Sequence, residues 1–437
     1  MMQSIWGADI QMPRFSALKG DLRTDVLIIG GGLAGLLCAR ELTRAGVDCA
    51  LIEENRIMQG VSGRTTAKLT AQHGLIYSRL LTQQGKHRAQ LYWKANEQAV
   101  SAMKALAKTA DCDFEEKTSY LYETGDTRKL EQEAAAYEAL HIPYLWEDTL
   151  SVPIPAAGAV GFARQGQFHP LKLAAHIAKD LKIYENTKAL AFLADRVQTA
   201  HGEIKAEKII VATHFPLWNK HGAYFLKLYQ QRSYVIALEN APQVDGMYLD
   251  CAENGLSVRS AGGWLLLGGG GHRTGKPGHN WDLPQQAASR YFPQARQVAQ
   301  WATQDCMSLD GMPYIGSYSK ATPNVYVATG FQKWGMSSSM VAAMLLSDLV
   351  QDKENPYSQL FSPSRSIFNK QLLINGGEAA SNLLRLKTPR CPHLGCALQW
   401  NQAEHSWDCP CHGSRFDSLG RRRNGPATDD LKHPPER

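Results

Sequence analysis

The chain has 437 residues, 44% of them apolar and 20% charged, with a net charge of +6. That length exceeds what one hydrophobic core usually organises, so two or three packing units with room for a large cofactor are expected. No run of about 18 apolar residues is present, the start from Met1 to Phe15 lacks a basic-then-apolar leader pattern, and the one basic run, Arg421 to Arg423, reads as a solvated face. A cytoplasmic protein that binds neither nucleic acid nor membrane is the expectation.

In chain order, Asp25 to Ile29 is a short apolar run followed by Gly30-x-Gly32-x-x-Gly35 and a helical pattern through Leu36, Leu37, Ala39, Leu42 and Ala45. Strand, tight turn and helix in that order let the backbone around Gly30, Gly32, Leu33, Ala34 and Gly35 approach a pyrophosphate at the helix N-terminus. The second strand, Val47 to Ile52, ends at Glu53 and Glu54, placed to accept from ribose hydroxyls. The small, hydroxylated segment Gly60 to Lys68, with Thr65, Thr66 and Ala67, suits an extended FAD better than NAD.

Residues 78–109 and 128–140 read as amphipathic packing helices. Lys208 to Thr213 is a buried strand ending in a small polar pair. Gln231 to Ile236 and Gly255 to Arg259 look like sheet strands, and Trp264 to Leu267 runs into four glycines and His272-Arg273. No helix with Lys-Ser/Thr follows those glycines, so a close backbone passage or turn is expected rather than a phosphate cradle. Asp310 to Gly316 and Val325 to Gly330 precede a helix starting near Gly335-Met336-Ser337, whose free N–H groups can stabilise negative charge on a reduced flavin. Thr213, Gly330, Gly335, Met336 and Ser337 thereby join the candidate FAD contacts.

Over about residues 20–350 these runs resemble the D-amino-acid oxidase superfamily, the glycine oxidase and sarcosine oxidase class. Within them GVSGRTTAKLTAQHGLIY, residues 60–77, looks like the bacterial branch in which such a flavoprotein carries a C-terminal Rieske module. The resemblance implies an α/β (α+β) fold, with FAD segments at about 20–75, 185–215 and 305–350 in a Rossmann-like domain. An interleaved antiparallel-sheet substrate domain is expected at about 76–184 and 216–304. It also implies an amine or amino-acid substrate. Candidates to orient it are Lys68, Gln72, His73, Tyr77, Arg232, Tyr234, Arg259 and Trp334, of which Lys68, His73, Arg232 and Arg259 are the catalytic candidates; each reads equally well as structural. Without a histidine beside Thr65-Thr66, noncovalent FAD is expected.

The nine cysteines form two populations. Cys38, Cys49, Cys112, Cys251 and Cys306 are scattered and read as small buried hydrophobes. Cys391, Cys396, Cys409 and Cys411 crowd into CPHLGC and CPCHGSRF, so thiols and imidazoles alternate as Cys391-x-His393 and Cys409-x-x-His412. Two thiolates can hold one iron of a [2Fe–2S] centre and two imidazoles the other; a zinc tetrahedron would use the same ligand types but leave Cys396 and Cys411 without a role. Ala397 to Trp400 and His405 to Asp408 read as a hairpin that brings the loops together.

With His412-Gly413-Ser414 and Gly425-Pro426-Ala427, this pattern resembles the Rieske proteins of the cytochrome bc and b6f type. The resemblance implies a small all-β module in which Cys391 and Cys409 bind one iron, His393 and His412 the other, a Cys396–Cys411 disulfide joins the loops, and Gly425-Pro426-Ala427 lids the cluster. Two departures stand out. Phe416 replaces the tyrosine of high-potential members, which predicts an intermediate potential. Only Leu384 to Arg390 precedes the first loop where the family has several strands, so the module, 376–437 after a linker at 351–375, is expected to dock on the flavoprotein.

The expected circuit is an amine or amino-acid dehydrogenase: substrate to FAD, FAD to cluster, cluster to an external one-electron acceptor protein. The reverse direction, and a redox carrier or sensor switched by the Cys396–Cys411 bridge, remain as alternatives. A Rieske oxygenase is disfavoured, because no His-x4-His run with a nearby acid lies outside the cluster loops.

Overall fold

The computed structural model describes residues 4–193, 195–218, 221–253, 255–385 and 388–432. A first sheet runs in the order Tyr314–Ser319, Thr322–Thr329, Gly202–Val211, Leu22–Ile29, Cys49–Ile52, Ile183–Tyr184. All of these pairings are parallel except the Tyr314–Ser319 edge. Val26, Leu27, Ile28 and Ile29 are all buried, so this strand carries apolar side chains on both faces, as a covered parallel strand must. The helices Leu33–Arg44 and Gly335–Val350 pack together beside it. Gly35 permits the close approach of helix to strand: a Cβ there would stand 1.9 Å from the Gly30 carbonyl oxygen.

The second sheet has nine strands. Along its path lie Arg296–Ser308, Leu228–Glu239, Trp264–Arg273, Ser257–Ala261, Gly246–Asp250, Glu115–Glu123, Gly158–Gln167 and Lys68–Leu69. Only the Gly246–Asp250 and Glu115–Glu123 pairing within it is parallel. The four glycines stay inside the strand Trp264–Arg273, and at Gly270 (φ 63°) a Cβ would meet the Asn280 carbonyl oxygen at 2.0 Å, a close backbone passage. The helical run expected from 78 to 109 is broken at Gly85 (φ 81°) into Ile76–Gln84 and Lys86–Thr109, because only glycine adopts that angle without strain. Arg128–Leu140 is helical as expected.

The stretch expected as linker is more ordered than that. It holds a short helix, Ser358–Phe361, and the start of a longer one, Lys370–Leu383, whose N-cap Asn369 accepts from the Gln371 N–H at 3.0 Å. The C-terminal sheet is a meander of Gln399–Asn401, Ser406–Asp408, Arg415–Phe416 and Arg422–Asn424. Leu386 and Lys387 of the lead-in to the first loop, and the last five residues of the expected module, lie outside the described residues. Among the described residues no helix is long and apolar enough to cross a membrane.

Candidate functional site: one cavity between two cofactor modules

A single cavity of about 1250 Å³ begins at the end of the strand Leu22–Ile29. Gly30, Gly32, Leu33, Ala34, Glu53, Glu54, Thr65, Thr66, Thr213, Gly330, Gly335 and Met336 all line it. The Gly31 N–H donates to Glu53 Oε2 at 2.7 Å and the Asn55 N–H to Oε1 at 2.9 Å, fixing the carboxylate at the strand end. Burial raises the Glu53 pKa, and these two hydrogen bonds pull against that rise. The Leu33 N–H donates to Ser62 Oγ (3.0 Å), tying the glycine turn to the 60–68 segment. Three candidate contacts lie behind the wall instead: Gly35 under the helix, fully buried Ala67, and Ser337, whose hydroxyl bonds His73.

The substrate candidates separate into those at the cavity and those behind it. Lys68, Tyr234 and Trp334 line it. Lys68 Nζ donates to the Tyr248 carbonyl (2.7 Å) and Ser257 Oγ (2.6 Å), and burial with help from Arg259 lowers its pKa to about 7.

His73, in contrast, stacks on Trp334 at 4.8 Å, shares a 2.7 Å hydrogen bond with Tyr92, and is held neutral by burial with a pKa of about 3. It props the tryptophan and does not reach the cavity. Arg259 donates to the Thr66 and Ala67 carbonyls at 2.7 and 2.9 Å, pinning the cofactor segment to the second sheet; burial lowers its pKa to about 9. Gln72 and Tyr77 are fully buried and bond to the Val160 and Ala71 carbonyls.

Arg232 also changes role. It reaches the cavity wall, but its guanidinium is engaged by both carboxylate oxygens of Glu404, in the turn of the C-terminal hairpin. Arg415 binds the same carboxylate at 2.8 Å and Asp408 at 2.9 Å, and the Tyr234 hydroxyl donates to Glu404 at 3.1 Å. Burial alone would raise the Glu404 pKa, but Arg232 and Arg415 outweigh it and hold the carboxyl down to about 2. The guanidinium is thus spent on docking the module, leaving it no free fork for a substrate.

In the cluster-binding module, Cys396 and Cys411 form a disulfide, while Cys391 and Cys409 are free and buried. The Cys409 sulfur lies within 4.8 Å of the disulfide sulfurs, which are bonded to each other. The His393 and His412 rings stand 4.9 Å apart. Both nitrogens of His393 and Nδ1 of His412 are buried without a hydrogen-bond partner, and burial lowers these imidazoles to pKa values of about 4 and 3, the neutral form that binds metal. The neighbouring Cys409 thiol, then the Ser414 hydroxyl and the His393 and Leu394 N–H groups, lower the Cys391 pKa to about 7. Two convergent thiols and two imidazoles with unused nitrogens are the donor set of a mixed-ligand two-iron cluster, and the disulfide accounts for the cysteines a zinc tetrahedron would leave idle. The Ser414 hydroxyl also accepts the Ala427 N–H at 2.9 Å, seating the Gly425-Pro426-Ala427 loop.

The residues that join the two modules carry no sequence motif. Phe215 lines the cavity and meets both cluster imidazoles edge-on, at 6.1 Å from His393 and 6.3 Å from His412. His412 Nε2 bonds the Phe225 carbonyl at 3.0 Å, which leaves Nδ1 for metal. From the module itself Glu404, Arg415 and the run Arg422 to Thr428 line the same cavity. Pairing over more than 170 residues leaves no periodic or local signal.

The fold and donor sets define a flavin-dependent oxidoreductase joined to a Rieske iron–sulfur module. Residues 25–349 match the FAD dependent oxidoreductase family and residues 359–435 the Rieske [2Fe-2S] domain, so the chain belongs to that oxidoreductase family and binds FAD and a [2Fe–2S] cluster. A Bacillus subtilis protein named as a Rieske 2Fe-2S iron-sulfur protein, YhfW, is 35% identical, covering 98% of this chain and 97% of its own. The ubiquinol-cytochrome c reductase iron-sulfur subunit of Rickettsia typhi is 56% identical over 46 residues, 10% of this chain and 26% of that one. Glycine oxidase from Geobacillus kaustophilus shares the fold with a TM-score of 0.65 at 22% identity, covering 79% of this chain and 100% of that chain. L-proline dehydrogenase from P. horikoshii does so at 0.66 and 16%, covering 80% and 98%.

Proposed function

We propose that the protein is an amine or amino-acid dehydrogenase whose electrons leave through the Rieske cluster to an external one-electron acceptor. The observation that carries this reading is the continuity of one cavity from the glycine turn to the cluster lid, with Phe215 touching both imidazoles at its wall. When bound, FAD supplies a hydride acceptor and the [2Fe–2S] cluster a one-electron carrier.

The chain's own part is to orient the substrate and manage its proton. Lys68, with a pKa of about 7 and two fixed acceptors, is suited to take the proton from a substrate ammonium at neutral pH. Trp334, braced by His73, forms a flat apolar wall, and Arg259 holds the 66–67 backbone in place. The glycine oxidase and L-proline dehydrogenase fold relatives support an amino-acid substrate class.

The test is anaerobic mixing of the holoprotein with a panel of amines and amino acids. Bleaching of the flavin followed by the reduced-Rieske EPR signal is expected; bleaching with no EPR signal removes the internal relay, and no bleaching by any amine removes the substrate class.

A further inference from the structure

Arg64 opens onto the cavity, and among the described residues its guanidinium donates no hydrogen bond. Its backbone is fixed by Trp301, whose ring N–H donates to the Arg64 carbonyl at 2.9 Å, on the strand that pairs with the one carrying Arg232. Around it stand Arg232, Arg415 and Arg423, with Glu404 between them. Arg232 and Arg415 share Glu404, and Asp408 takes a second contact from Arg415. Arg423 meets only the neutral Glu404 carbonyl oxygen, at 3.2 Å.

Four guanidiniums therefore face Glu404 and Asp408, with Asp305 of the cavity wall as a third carboxylate acting on Arg232. Arginine does not shed its proton to relieve such crowding. The Arg64 side chain is exposed to the cavity, and enclosure by the cavity walls, followed by repulsion from Arg232 and Arg415, lowers its pKa, while Glu404 acts in the opposite sense. The segment that carries Arg423 is clamped on both sides: Arg422 pairs with Glu54, and Lys188 donates to the Thr428 carbonyl at 2.9 Å. Arg423, an exposed residue, is thereby held at the cavity wall, and among the described residues no carboxylate pairs with it.

We propose that Arg64 and Arg423 together bind an anionic oxygen group of a cavity ligand, so that the Rieske module builds half of an anion site inside the flavoprotein's cavity. The chemistry required is two or more negatively charged oxygens accepting charge-assisted hydrogen bonds, supplied either by the diphosphate of the dinucleotide or by the carboxylate of an acid substrate. In either case the site is complete only when the module is docked, which ties ligand affinity to the interface that Glu404 and Arg232 hold.

The experiment compares the holoprotein with Arg64→Met, Arg423→Met, the double variant and the two lysine replacements. The affinity for FAD is measured by reloading flavin-stripped protein, with inorganic pyrophosphate as competitor. Carboxylate binding is measured by the shift of the flavin absorbance on titration with acetate and succinate. A diphosphate site raises the FAD Kd at least tenfold in each methionine variant and abolishes pyrophosphate competition. A carboxylate site leaves the FAD Kd alone and weakens acetate or succinate binding at least tenfold. A shared anion makes the double variant's loss smaller than the product of the single losses, and lysine at either position recovers part of the affinity. The Rieske EPR signal reports that each variant assembles its cluster; if a methionine variant fails to give it, the lysine variant at that position carries the comparison through a smaller shift in the same direction. Changes under twofold in both affinities overturn the proposal, as does an effect confined to Arg64 with Arg423 silent.

Discussion

The two candidate ligand loops of the cluster are local copies of one another that differ in their surroundings. In the first, the Cys391 N–H donates to the Cys396 carbonyl and the Gly395 N–H to the Cys391 carbonyl, both at 2.9 Å; in the second, Cys409 donates to Ser414 at 2.8 Å and Gly413 to Cys409 at 2.9 Å. Gly395 (φ 75°) and Gly413 (φ 85°) turn the chain at the same place. Around the first loop, Pro392, Leu394 and Gly395 are exposed. Around the second, four consecutive carbonyls accept from the flavoprotein: Pro410 and Cys411 from Arg273, His412 from Gln230, and Gly413 from Gln304. The same turn is thus a free tip in one copy and a socketed joint in the other, so ligand geometry is set locally and docking is set by one loop and its hairpin.

Removing the hairpin's carboxylate is the most severe way to break the joint. Glu404→Ala leaves Arg232 and part of Arg415 buried without their anion, and about 3–5 kcal/mol of stability should go. Urea unfolding followed by flavin fluorescence measures it; a loss under 1 kcal/mol means that the joint is held elsewhere.

Acid should loosen the same contact. Because the folded Glu404 pKa is depressed to about 2, below its unfolded value, the stability it contributes is full at neutral pH and is lost as pH falls from the unfolded value of about 4.3 toward 2. The loss is on the order of 3 kcal/mol across that window, and Glu404→Gln should flatten the profile between pH 5 and pH 2.5. An unchanged profile in that variant contradicts the assignment.

The matched pair Gly413→Ala and Gly395→Ala compares the loops directly. Both force alanine into the left-handed region at about 1–2 kcal/mol. Only at Gly413 does the new Cβ also strike Gln230, at 2.6 Å, whereas nothing lies within 4 Å at Gly395. An additional cost of about 1–3 kcal/mol is expected for Gly413→Ala; equal melting shifts for the two variants would erase the distinction between the loops.

The smallest effect concerns electronics. Phe416 is fully buried beside the cluster-binding cysteines and offers no donor. Phe416→Tyr adds one hydroxyl; a hydrogen bond of about 1 kcal/mol to a one-electron couple raises the midpoint potential by about 40 mV, readable by EPR-monitored titration.

Much of the site was legible because its chemistry is written in short spacings. The candidate cluster ligands, the glycine turn and the candidate ribose acceptor Glu53 each lie within a few residues of a turn or strand end that the local pattern already specifies. The helix at 370–383 was less so, since Gly376-Gly377 and neighbouring asparagines mimic a linker; Asn369 caps it and Asn375 accepts from Arg273 at 2.8 Å. Arg232 misled for a physical reason: an arginine on a cavity-facing strand has the same sequence signature whether its carboxylate belongs to a substrate or to a residue 172 positions away. Phe215 escaped notice altogether, because an aromatic residue after a buried strand reads as core.

The turn that carries Glu404 is a hairpin end, ordinarily the part of a sheet that best tolerates cuts, tags and insertions. Here the residue is only 5% exposed, and its side chain serves as the bolt through which the module is fastened. A protease that nicked the Asn401–Ser406 turn would loosen the wall of the flavin chamber along with the hairpin.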